Sequence, residues 1–205
     1  MLDIRALRAT PVVKVPFDFV VVPDFIEKDA AAALQRDFPR ITRPGSFPVS
    51  ELSYGPAFAT LVEELRGPEF RAAMSETLGV RLEGYPTLIT VRGRCARHDG
   101  AIHTDSEWKI VSVLLYLNET WKDDGGRLRL LRSKDLDDMA MEVDPAWGTL
   151  LAFRRSERSF HGHRPFEGER RAVQLNWVTT QKMVDRELAR HRRSALLKRF
   201  LSFAP

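Results

Sequence analysis

The chain has 205 residues, 43% of them hydrophobic and 29% charged, which suits one globular domain with a sizeable core. Its single cysteine, Cys95, excludes an intrachain disulfide and a structural zinc site built on several cysteines, and fits a reducing compartment. No secretory signal is read at the start, and no stretch approaches the roughly 20 apolar residues of a membrane span, so a soluble cytoplasmic protein is expected. The net charge of +4 is uneven: from Lys182 onward seven Lys/Arg face two acids, a segment charge of +5 that leaves the rest near −1. The basicity belongs to the tail, and nucleic-acid binding is not expected from it.

In chain order, Val12–Val15 and Phe17–Val22 read as extended segments rich in β-branched residues. Ala30 to Phe38 reads as a helix stopped by Pro39. Pro56 and Pro68 suit first helical turns, which predicts helices to about Leu65 and to Leu78, with Gly67 and Gly79 just past their ends. The pattern then changes. Thr87–Val91, Lys109–Leu117, Arg127–Leu131, Thr149–Phe153 and Ala172–Val178 read as strands separated by turn signals such as Asp99-Gly100 and Asp124-Gly125-Gly126. No helix of useful length fits between residues 85 and 180, which excludes a doubly wound parallel sheet. Lys182 to Leu201 reads as a closing helix, with Val184, Leu188, His191 and Ala195 along one side. One domain of mixed α+β class is expected: a helical region over about 1–82, a β core over about 83–180 and a basic helix over about 182–203.

The chemistry-bearing residues lie in the β core. His103 and Asp105 are two positions apart, and on a strand such residues share a face. His161 is the candidate third ligand. Two histidines and one carboxylate leave open coordination positions and are typical of non-haem Fe(II) oxygenases. Arg171 is placed to grip the far carboxylate of a keto-acid co-substrate in bidentate fashion. Two ambiguities follow from strand parity: His163 shares a face with His161, and only one of the adjacent Arg170 and Arg171 can point inward. Trp177 shares the parity of Arg171 and reads as core. His98 reads as a loop residue, and Trp108 as either core or the lining of the mouth.

Several blocks then fall in one register. They are His103-Thr104-Asp105, Leu115-Tyr116-Leu117-Asn118-Glu119-Thr120-Trp121, Gly125 to Leu130, Trp147 to Phe153, and His161 with Pro165, Gly168, Arg171 and Trp177. In that register the chain resembles the 2-oxoglutarate- and Fe(II)-dependent oxygenases, in particular their prolyl-hydroxylase-like branch. The resemblance implies a double-stranded β-helix (jelly-roll) core with iron held by His103, Asp105 and His161. It matches Arg171 to the residue that pairs with the 2-oxoglutarate carboxylate. It favours His161 over His163 as ligand. It implies hydroxylation of a substrate with release of succinate and CO2, O2 as oxidant and ascorbate as a reductant that rescues iron. One departure stands out: some relatives carry a second tyrosine just before the tyrosine-leucine-asparagine block, and here that place is Leu115, so the co-substrate would need another hydroxyl partner. The carboxylate of Asp105 points to oxygenation rather than halogenation.

The competing readings are a cupin-like metalloenzyme that does without a keto acid, and a catalytically silent binding module. The substrate, protein residue or small molecule, would be selected by loops at Asp99–Ala101, Ser106–Lys109 and Ser133–Met139. The basic closing helix is expected to pack on the body, with a homodimer contact as the second choice.

Overall fold

The computed structural model describes the backbone of residues 1–201 and the side chains as far as His191. Ala195, expected along the packing side of the closing helix, lies outside the described side chains.

The chain opens with a short helix that the sequence reading did not anticipate, α1 (Ile4–Ala9), whose N-cap Asp3 accepts from the Ala6 amide. Strand β1 (Phe19–Val22) follows, then α2 (Ala31–Asp37), the two-residue strand β2 (Phe47–Pro48), α3 (Pro56–Arg66) and α4 (Pro68–Leu78). Both prolines sit in the first turn, where the missing N–H costs nothing. Gly79 closes α4 at φ +60°, a conformation that suits glycine. The β core comprises β3 (Thr87–Cys95), β4 (Lys109–Tyr116), β5 (Leu128–Leu131), β6 (Met139–Val143), β7 (Leu150–Arg154), β8 (His161–Gly162) and β9 (Gly168–Val178). Helix α5 (Gln181–Leu201) ends the described backbone.

Six strands form one sheet in the order β1-β7-β4-β9-β3-β2, and three form a second in the order β6-β5-β8. All the strand pairs are antiparallel. The result is the expected α+β architecture, a jelly-roll core with helices on one face. The alternation of β4 shows how the two faces are assigned. Val111, Val113 and Leu115 belong to the core cluster that also holds Phe58, Leu61, Leu65, Phe70 and Met74 of α3 and α4. Tyr116 joins Leu128, Leu130, Val143 and Phe153 in the cluster between the two sheets. Strand β7 divides in the same way, with Leu150 and Ala152 toward the helices and Leu151 and Phe153 inward. Side chains two apart share a face, so a one-residue shift would exchange the two cores.

Helix α5 packs through Val184 and Leu188 onto Leu88, Val178 and Trp108. Of the two expectations for Trp108, the structure shows packing on the core. Among the described residues no helix is long and apolar enough to cross a membrane.

Candidate active site

Strand β9 has two faces, and the site is built on one of them. Val173, Leu175 and Trp177 form the row turned to the helices. Residues 170, 172, 174 and 176 form the other row. Arg170 and Gln174 line a cavity of about 160 Å³ together with His103, Asp105, His161, His163, Leu114, Leu128, Arg92 and Asp99.

Within this cavity His103, Asp105 and His161 each offer one ligand atom, and those atoms lie within 4.8 Å of one another. The local structure differs from the expected strand. Only His103 makes a β-bridge, and its partner is His161, with two backbone bonds of 3.0 Å. Asp105 lies in the irregular segment that precedes the turn into β4. The candidate ligands thus meet because a single bridge fastens the His103 segment to β8, which is itself paired to β5.

The histidines are pre-oriented. His103 Nδ1 lies 2.9 Å from the carbonyl of Ala101, and His161 Nδ1 lies 2.9 Å from that of Ser159. A carbonyl can only accept, so each Nδ1 carries the proton and each Nε2 is left with its lone pair for a metal. Burial, the largest influence, lowers the pKa of His161 to about 4, against the opposing pull of Asp105. The ring is neutral at physiological pH, as ligation requires. Asp105 is held below the usual carboxylate range: burial opposes its ionisation, but Lys109, His161 and Ser112 outweigh it. Lys109 Nζ lies 2.6 Å from one oxygen of Asp105, and Ser112 Oγ donates to the other. Arg155 Nε adds a 3.1 Å bond to the Asp105 carbonyl.

His163 is buried and lines the same cavity but does not join the ligand group. Its Nδ1 is 2.8 Å from the Arg164 carbonyl, and its ring packs on Gly100, where any Cβ would come within 2.4 Å. Gly100 also has φ +89°, so the close approach and the backbone both call for glycine. His98 is an exposed turn residue, as expected.

Arg171 is placed differently from the sequence reading. Its side chain leaves the cavity: Nε pairs with Glu169 at 2.9 Å, an Nη donates to Gln35 of α2, and the guanidinium lies over Phe38 at 5.2 Å. Gln35 in turn donates to the Leu117 carbonyl at 2.9 Å. Arg171 therefore fastens β9 to α2. The reason is parity: it shares the row of Val173, Leu175 and Trp177, and that row faces the helices. Arg170, in the other row, is only 3% exposed. Its Nε donates to the Gly126 carbonyl at 2.9 Å, and one Nη donates to the Tyr116 hydroxyl at 3.3 Å. Among the described residues no carboxylate pairs with it.

The place of Leu115 follows from the same parity. Leu115 packs toward the helices, while Tyr116, next in sequence, turns its hydroxyl to Arg170. Burial raises the Tyr116 pKa despite the neighbouring guanidinium, so it stays protonated. Since Tyr116 accepts from Arg170, its own O–H remains to donate. One signal in the sequence could have shown this. In the middle of β9 the large apolar Val173, Leu175 and Trp177 fall at odd positions and the polar Gln174 and Asn176 at even ones, so a site wall that must be polar takes the even row.

Residues 87–179 match the family model of the 2OG-Fe(II) oxygenase superfamily, and the resemblance read from the sequence is borne out over that stretch. No curated protein matches the chain by sequence. Among solved structures, the chain is similar to a prolyl-4-hydroxylase of Pseudomonas putida at 21% identity, covering 86% of this chain and 97% of that one with a TM-score of 0.56. It is similar to a prolyl 4-hydroxylase of Phytophthora capsici at 22% identity, covering 81% and 60% with a TM-score of 0.55. HygX of Streptomyces hygroscopicus, solved with nickel and 2-oxoglutarate, superposes at 14% identity over 80% of this chain and 83% of that one, with a TM-score of 0.54. At these identities the likeness is one of fold.

Proposed function

We propose that this chain, whose residues 87–179 match the 2OG-Fe(II) oxygenase superfamily, is a single-domain hydroxylase that binds Fe(II) through His103, Asp105 and His161 and 2-oxoglutarate through Arg170. The observation that carries the reading is Arg170: a cation only 3% exposed, without a carboxylate partner among the described residues, in the same cavity as the three ligands. A buried charge without a counter-ion is costly, and a dianionic co-substrate would supply one.

The donor set, two imidazole nitrogens and one carboxylate oxygen within 4.8 Å of one another, fits Fe(II). Bound there with 2-oxoglutarate and O2, iron would supply the oxidising power for hydroxylation, with release of succinate and CO2. The rest falls to the chain. Arg170 and the Tyr116 hydroxyl would hold the distal carboxylate by charge-assisted bonds, fixing the orientation of the keto end. Leu114 and Leu128 would line the co-substrate's stem and exclude water. The Ala101 and Ser159 carbonyls hold the ligand tautomers.

All three loops named as selectors are pinned, Ser106–Lys109 by the Lys109 amide donating to the Ser106 carbonyl at 3.0 Å and by the Thr179 amide donating to the Trp108 carbonyl at 2.9 Å. Asp99 is held by Arg92 at 2.6 Å and by the Ala96 amide at 2.9 Å. The Ser133–Met139 loop is fastened by Arg129, which donates to the Leu136 carbonyl at 3.1 Å and to Asp137 at 2.9 Å. Selection by these loops would thus rest on preformed shape.

The test is conversion of 2-oxoglutarate to succinate by Fe(II)-loaded protein under O2 with ascorbate. Slow turnover is expected even without the true substrate, and none after Asp105→Ala. Well-folded, iron-loaded protein that makes no succinate with a broad panel of peptides and small molecules would instead favour a cupin-like or silent module.

A further inference from the structure

The two oxygens of Asp105 are held by unlike partners. Ser112, fully buried on β4, donates its hydroxyl proton to Oδ2. That hydroxyl in turn accepts from Asn176 Nδ2 on β9 at 2.8 Å. An amide N–H can only donate, so the Asn176 bond directs the Ser112 proton to Asp105. Oδ2 is therefore tied into the barrel wall by a buried, ordered relay. Oδ1 is held by something movable: Lys109 Nζ, at 2.6 Å, on a flexible four-carbon stem. The ammonium has no other hydrogen-bond partner among the described contacts. A fallback lies beside it, the Trp108 ring, whose centroid is 5.9 Å away.

We propose that Lys109 is a built-in counter-cation that occupies the ligating oxygen of Asp105 until a divalent metal displaces it. The inference rests on the metal site proposed above. Its physical basis is charge. Asp105 is only 6% exposed, and without metal it needs a positive partner to stay ionised in place. With metal the same ammonium becomes a like charge beside the ion and moves off toward Trp108. Lys109 thereby keeps the metal-free site folded and sets a ceiling on metal affinity. A purely structural lysine would help metal binding by orienting its ligand, whereas this one opposes it, so the two roles predict opposite signs.

The experiment is calorimetric titration of the full metal-free chain with Co(II) and Zn(II), alongside thermal melts. Lys109→Met should bind both metals at least about tenfold more tightly and melt lower without metal. Lys109→Gln, which keeps a donor but no charge, should also bind more tightly and guards against misfolding of the first variant. Lys109→Arg should stay near the parent affinity, and Ser112→Ala should weaken binding. Unchanged or weaker binding in both neutral variants overturns the inference, and so does tighter binding in Ser112→Ala, which would make Oδ2 the ligating oxygen. Should the parent bind metal, Asp105→Ala lose it and the neutral variants gain nothing, the counter-cation idea alone falls. A parent that binds neither metal defeats the metal site as well.

Discussion

Arg170 and Arg171 are chemically identical and adjacent, yet they do opposite things. Arg171, with its side chain 27% exposed, bonds to Glu169 and Gln35 and ties β9 to α2. Arg170 is buried, bonds to a carbonyl and a phenol, and faces three metal-ligand candidates. The contrast extends along the whole strand. Its helix-facing row of Val173, Leu175 and Trp177 is satisfied by packing. Its inner row holds a buried cation, Arg170, that has no carboxylate partner among the described residues. One face of β9 packs on the helices, and the other lines the candidate site.

The division can be attacked from either side. The largest effect is expected on the packing face. Trp177 is fully buried against Phe70, with ring centroids 5.8 Å apart. Trp177→Ala should cost about 3–5 kcal/mol in denaturant unfolding. Metal affinity, measured where the variant is still folded, should change little. On the inner face, Arg170→Ala should weaken 2-oxoglutarate binding to Mn(II)-loaded protein by about 2–5 kcal/mol, read by calorimetry. Arg171→Ala should stay within a few tenths on the same readout and instead lower the melting temperature. The reverse pattern would sink the assignment of the two rows.

A pH experiment sharpens the comparison next. The folded pKa of His161, about 4, lies below its unfolded value of 6.5. Between these the unfolded chain binds a proton that the folded chain refuses, so stability is full above pH 6.5 and is lost as pH falls toward 4. For metal-free protein the contribution is up to about 3 kcal/mol. His163 is shifted in the same direction by burial, so the difference between the parent and His161→Asn isolates His161. Parallel stability curves for the two proteins over that window would rule the assignment out. The smallest effect is expected at Tyr116. Tyr116→Phe removes one donor and should weaken 2-oxoglutarate binding by about 1 kcal/mol, without loss of metal.

Much of this was legible in the amino-acid order. The helices that start at Pro56 and Pro68 are announced by proline, and Gly79 marks the end of the second. The core strands are visible as β-branched and leucine-rich runs between turn signals. The spacing of His103 and Asp105 marked two candidate ligands, and the family resemblance chose His161 over His163 as the third. Short elements were not legible: α1 has six residues and β8 two, too few for a periodicity to declare itself.

What the sequence could not settle was direction. Parity alone says that residues 170 and 171 point oppositely; the polar Gln174 and Asn176 hint at the even row, but inward is fixed only when the helices cover one face of the sheet. Asp105 likewise reaches the site from an irregular segment, held by a single bridge between His103 and His161 and by Lys109 and Ser112. Those are contacts between segments, and no local pattern encodes them. The sequence by itself determined which chemistry the chain carries and roughly which elements carry it. Tertiary packing decided that Arg170 and Tyr116, rather than Arg171 and Leu115, face the candidate site, because the other row of each strand is buried against the helices.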